Sequence, residues 1–184
     1  MSPHYQSADV PAVCQTLPMP SVEYESTPKE VRSFALVQIG LTAAFFVLLF
    51  FMLGGTSEPF PPVWLSVVLV VLVAAGAVLS ERVWLSAPPL QPGADPAETQ
   101  REAVGIFAGQ TVRKLVYCEA PMLVAVGVAF VTDHGGWPLV VAGFPGLLVL
   151  AWEVYPTPRN TSLTAAMLDS QGAESQLVES FLDA

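Results

Sequence analysis

Residues 112–121 read Val112-Arg113-Lys114-Leu115-Val116-Tyr117-Cys118-Glu119-Ala120-Pro121, two cations followed by a carboxylate inside an apolar run that continues to Val131. The run from Leu115 to Val131 reads as a membrane span. An ionisable side chain at the centre of a bilayer costs roughly 2.5–3.5 kcal/mol on insertion scales and less toward the interface, so Glu119 demands a partner, a route to water or a function. At about 1.5 Å per residue it lies about 7–8 Å inside the boundary marked by Lys114.

The rest of the composition agrees with a span at this place. Of 184 residues, 53% are hydrophobic and only 12% charged, and the mean hydropathy is +0.55. That leaves too little polar surface for a soluble domain of this size, and the fold class expected is all-α integral membrane. The net charge of -9 and the presence of only seven Lys and Arg residues exclude a phosphate-binding face, hence nucleic acid. Cys14 and Cys118 lie too far apart in sequence to suggest a disulfide framework or a metal spacing.

Outward from this stretch the chain divides into four apolar runs. Residues 1–26 are rich in proline and lack Lys and Arg, a composition expected to remain a disordered tail. Thr27-Pro28-Lys29-Glu30 has the residues of a capping box with Pro at the first helical position. Spans are expected over about 33–53, ending at Gly54-Gly55, and about 63–80, where Ala74-Ala75-Gly76-Ala77 suits close helix packing. A loop with several prolines then leads to Asp95-Pro96-Ala97-Glu98, a second helix start, and residues 81–114 form a cytoplasmic loop and amphipathic lead-in. That lead-in either lies on the membrane surface or carries the helix into water. Its Gly105 and Gly109 make a GxxxG outside a fully apolar segment, a weak dimerisation signal. The third span is about 115–131, with a bend expected at Pro121, and the fourth about 137–155. The acidic tail 160–184 has apolar residues at helical spacing and reads as either a docking helix or a frayed one.

Charge sets the orientation. Lys29 and Arg32 precede the first span, Arg82, Arg101, Arg113 and Lys114 lie between the second and third, and Arg159 follows the fourth, while the two other loops have none. The positive-inside rule then makes both termini cytoplasmic in a multi-pass inner (plasma) membrane protein. Trp64 and Trp137 fall at the outer span ends and Trp84 and Trp152 at the inner ends, as interfacial anchors do. Asn160-Thr161-Ser162 is a glycosylation sequon in form, on the cytoplasmic side in this orientation.

Residues 31–55 laid over 112–136 pair Val31-Arg32 with Val112-Arg113 and Gly54-Gly55 with Gly135-Gly136 without a gap, and set Gln38 on Glu119. This suggests a parallel internal repeat, two hairpins related by an axis along the membrane normal. The intramembrane polar site expected from these readings comprises Glu119, Gln38, Glu153, Arg113 and Lys114. Glu119 is expected to meet a cation, Arg113 or Lys114 of a neighbouring copy or Arg32 or Arg82 of its own, or else water. Cys118 reads as a buried thiol and His134 as a solvated loop residue. No HExxH, P-loop, dinucleotide fingerprint or nucleophile elbow occurs, and no catalytic residue, cofactor or metal is expected.

At Arg113, Glu119-Ala120-Pro121, Gly127 and Pro156-Thr157 the chain resembles small bacterial four-span membrane proteins of unassigned function. Glu119-Ala120-Pro121-Met122 with Ala125-Val126-Gly127 is also similar to the proton-carrying helix of the ATP synthase ring proteolipid. That family carries its acid on the second helix of a hairpin, after a glycine-repeat first helix, whereas here the acid opens the second hairpin. Two functions are expected from these readings. The first is a non-enzymatic structural, accessory or oligomeric subunit whose partners are the bilayer, copies of itself or other membrane subunits. The second is a proteolipid-like protein conducting protons or ions through Glu119.

Overall fold

Helix α1, Pro28–Met52, begins at the expected capping box: the Glu30 amide donates to Thr27 Oγ1 (3.3 Å) and the Thr27 amide to Glu30 Oε2 (2.7 Å). The structure, a computed structural model, describes residues 26–183. The tail expected over 1–26, and Cys14 with it, therefore lies outside the described residues apart from Ser26. Gly54 and Gly55 end α1 in the left-handed region, φ 78° and 60°. Helix α2, Val63–Glu81, follows Pro61-Pro62 and passes into a short 3-10 turn, Val83–Ser86. Helix α3, Pro96–Val131, is a single helix of 36 residues opened by Asp95, whose side chain accepts from the Ala97 amide (2.8 Å). The lead-in thus extends the third apolar run outward instead of lying apart from it.

The fourth apolar run is irregular. It starts as a π-helical turn, Leu139–Gly143, where the Phe144 amide donates five residues back to the Leu139 carbonyl, and continues as α4, Phe144–Val154. Pro145 explains the widened turn, because it has no N–H to offer the Val141 carbonyl and its ring crowds that position. Beyond it, α5 (Pro158–Leu168), a 3-10 turn (Asp169–Gln171) and α6 (Leu177–Leu182) complete the chain. Among the described residues there are no strands.

Three helices are long and apolar enough to cross a membrane, Pro28–Met52, Val63–Ser86 and Pro96–Val131, each holding an 18-residue window with mean hydropathy of 2.4, 2.6 and 1.7 in turn. There are four if the pair Leu139–Val154 and Pro158–Gln171, bent by 51°, counts as one. The packing departs from two self-contained hairpins. α2 lies along α3 and touches α4, and α1 leans chiefly on α4, while α1 and α2 do not pack along one another. Glycines decide these seams. A Cβ on Gly76 would stand 2.6 Å from the Tyr117 carbonyl and 2.9 Å from Pro121 Cγ, so α2 seats its small cluster on the proline turn of α3. That carbonyl is the one Pro121 leaves without an amide, yet helix α3 carries through Pro121 without a break. On the other side Phe46 of α1 fits against Gly143, where a Cβ would be 2.6 Å from its ring.

The link from Leu53 to Pro62 crosses over the turn between α3 and α4 and is bonded to it. The Gly136 amide donates to the Gly55 carbonyl (2.7 Å), Trp137 Nε1 donates to the Glu58 carbonyl (2.9 Å) and His134 Nδ1 lies 3.1 Å from the Pro59 carbonyl. Trp137 is half-buried against Phe60, rings 4.9 Å apart, and His134, expected as a solvated loop residue, is also half-buried, so both side chains join the two loops.

At the opposite end the acidic tail is folded. Leu168, Leu177 and Phe181 are buried with Val31, Leu90, Val104 and Phe107 in a core separate from those between the long helices. The Leu90 amide donates to the Leu168 carbonyl (2.9 Å), Phe107 and Phe181 meet edge to face at 5.1 Å, and an Arg32 guanidinium nitrogen donates to the Phe181 carbonyl. The tail is therefore a docking element, and the lead-in of α3 is the surface it docks on.

Candidate functional site

Two polar clusters sit where the long helices meet, and they divide the expected site residues between them. In the first, Lys114 of α3 and Glu153 of α4 form an ion pair with Nζ to Oε2 at 3.1 Å and side chains 7% and 6% exposed. Burial of this depth is favourable only if the remaining polar atoms are engaged. Glu153 Oε1 lies 3.8 Å from Arg159 Nη1, and Arg159 Nη2 is 2.5 Å from Glu81 Oε1 at the end of α2. Two cations and two carboxylates thus run from the buried pair to the surface. Arg159 also lies over Trp152, 5.9 Å from the ring centroid.

Asn160 closes the same cluster. Its Nδ2 is shared among the carbonyls of Trp152, Glu153 and Tyr155 at 3.0–3.1 Å; the first two belong to the last turn of α4, whose acceptors lack helical partners, and the third also accepts from the Thr157 amide at 2.8 Å. The residue is 2% exposed, so the amide of the apparent sequon is a buried tie between α4 and α5. Composition alone could not reveal this role, although Thr157 and Pro158 just before it are the residues of a helix start.

In the second cluster Glu119 meets neither Arg32 nor Arg82, the cations of its own chain that were expected of it. No cation reaches it among the described residues; Gln38 Nε2 and Thr42 Oγ1 of α1 each donate to its Oε1, both at 2.9 Å. Lys114 is taken by Glu153, and Arg113 is exposed with Nη1 3.3 Å from Ser86 Oγ. Geometry separates these fates. Lys114 and Cys118 share the buried face of α3 one turn apart, whereas Glu119 lies one step round the helix toward α1, about 100° away. Thr42 was missed as a site residue. Its spacing of four from Gln38 puts both on one helix face, the signal that could have found it.

Beside Glu119 the α1–α3 seam widens into a cleft of about 170 Å³ lined by Leu41, Thr42, Phe45, Phe46, Met122 and Leu123. Cys118 is buried. Trp64 and Trp152 are 67% and 61% exposed at helix ends and Trp84 is half-buried in the 3-10 turn, positions open to anchoring. Gly105 and Gly109 have open space where a Cβ would stand, so they serve no contact within the chain. Among the described residues no three His, Cys, Asp or Glu side chains converge as metal ligands would. Comparison with protein-family models, with curated proteins and with solved structures finds no match for this chain.

Proposed function

We propose that the chain is a four-span inner-membrane protein with both termini cytoplasmic, acting without catalysis as an accessory or oligomeric subunit. The observation that carries this reading is that the ionisable side chains of the apolar layer serve to join helices: Lys114 ties α3 to α4 through Glu153, and Glu119 ties α3 to α1 through Gln38 and Thr42. Polar groups spent on internal bonds leave the apolar outer faces of α1 and α2, with Leu36, Leu48, Val68 and Val71 between 47% and 59% exposed, as the surface offered to lipid or to other subunits. The fourth span, about 137–155, is supported by the bonds between the two loops that lack Lys and Arg, which join the α1–α2 connection to the α3–α4 connection. All seven Lys and Arg residues then belong to the other side, with the docked tail.

The internal repeat belongs to the same proposal. Gln38 bonds to Glu119 and Gly55 to Gly136, each residue meeting the one 81 positions later, as counterparts do on either side of a two-fold axis. The π turn before α4 has no counterpart among the described residues of the first half.

The second reading, a proton or ion path through Glu119, is favoured by the cleft that opens beside that carboxylate. Glu119→Gln separates the two, because Gln still accepts from Gln38 and Thr42. An accessory subunit should keep its co-purifying partners in mild detergent and give proteoliposomes no flux in either form. A conductor should show flux in the wild type and lose it in the variant, and that result would overturn the first reading.

A further inference from the structure

Both donors at the α1–α3 seam reach the same carboxylate oxygen, Glu119 Oε1, and among the described residues nothing donates to Oε2. Nor does a countercharge compensate it there: Lys114 and Arg159 are held by Glu153 and Glu81, and Arg32 by the Phe181 carbonyl. Two neutral donors are a partial answer to an acid inside an apolar layer, where an unpaired charge is costly. Next to it lies the cleft of about 170 Å³. Leu41, Phe45 and Leu123 on its walls are 62%, 46% and 59% exposed, so its mouth opens to the bilayer and away from the packed core. A cavity of roughly 150 Å³ accepts one benzene ring, so this cleft has room for a ring or a few methylenes but not for a whole lipid.

We infer that the cleft binds a membrane-dissolved amphipath with an ammonium head, the head on the free oxygen of Glu119 and the adjoining hydrocarbon between α1 and α3. Charge complementarity selects this occupant. A neutral lipid chain would fill the space without answering the carboxylate, and an anionic head would be repelled. The lining agrees with it, because Phe45 is among its walls and an aromatic ring attracts a cation that has shed its water. The inference goes beyond the accessory role and rests on the bilayer reading given with it.

The test uses the full chain in lipid nanodiscs, with dodecylamine carrying a photoactivatable diazirine as the probe and the matching dodecanol as its neutral control. The amine should label 41–46 and 122–123 about tenfold more than the alcohol, the ratio expected for one charge-assisted hydrogen bond. Glu119→Gln should bring amine labelling down to the alcohol's level, and Leu123→Trp, which blocks the mouth and leaves the carboxylate, should remove it. Equal labelling by amine and alcohol, equal amine labelling of wild type and Glu119→Gln, or label spread along α2 would each overturn the site. If either variant fails to incorporate, the wild-type ratio of amine to alcohol decides alone. A wild-type chain that does not enter nanodiscs would instead strike down the bilayer reading, and this inference with it.

Discussion

Replacing Lys114 by Leu strands Glu153, whose side chain is 6% exposed and whose other cation, Arg159, stands off at 3.8 Å and is itself 43% exposed. Breaking a buried pair in this way costs about 3–5 kcal/mol, because the remaining charge keeps its desolvation penalty and loses its attraction. For a domain of this length each kcal/mol moves the midpoint by about 2–4 °C, so a fall of roughly 6–20 °C is expected in a thermal melt in mild detergent. Arg159→Ala should cost only about 0–1 kcal/mol, since its pairing with Glu81 is largely exposed. The decisive comparison is the double variant Lys114→Leu with Glu153→Leu, which removes both charges. It should recover most of what the single variant loses, as apolar replacement of a buried pair commonly does. A Lys114→Leu melt no lower than that of Arg159→Ala, or a double variant as unstable as the sum of its singles, would refute the claim that this pair is buried and coupled.

Gly76→Ala should lower stability by about 1–3 kcal/mol through overpacking on the Tyr117 carbonyl, while Gly105→Ala, with open space around it, should stabilise by up to about 1 kcal/mol; equal melts for the two would contradict the α2–α3 seam. Asn160→Ala should cost about 1–3 kcal/mol by leaving acceptors at the end of α4 unpaired, and faster amide exchange in α5 and α6 than in α3 is the measurement that shows it. Orientation is checked with single cysteines at the exposed positions Ser57, Asp133 and Ala94 in a cysteine-free chain. An impermeant maleimide outside intact cells should label the first two and not the third, and the reverse pattern would invert the topology. Asp133 is preferred to Gly135, whose φ of 53° and neighbouring Leu53 carbonyl at 3.0 Å leave no room for a side chain.

Composition, hydropathy and punctuation were enough to place the helices. The long apolar runs cannot satisfy their backbone in lipid except as helices, and Thr27-Pro28, Gly54-Gly55 and Asp95-Pro96 mark ends that coincide with observed starts and stops. Local chemistry decides such features, so one chain is enough to read them. The bonds of Glu119 were not legible in this way. Its depth followed from counting residues beyond Lys114, but its neighbour depends on which face of α3 meets α1, and a cation five residues away in sequence lies on a different face.

The sequence by itself determined an all-helical chain with apolar runs of membrane-crossing length, and it singled out Glu119, Gln38, Lys114 and Glu153 as polar side chains in or beside those runs. Only the tertiary structure decided how those residues pair, that α1 and α2 part from each other to pack on the other helices, and that the acidic tail docks on the base of α3. The physical reason is range. Helix formation and burial in lipid depend on each segment's own residues, whereas pairing depends on where a glycine such as Gly76 or Gly143 lets two backbones close, and that contact joins residues far apart in the chain.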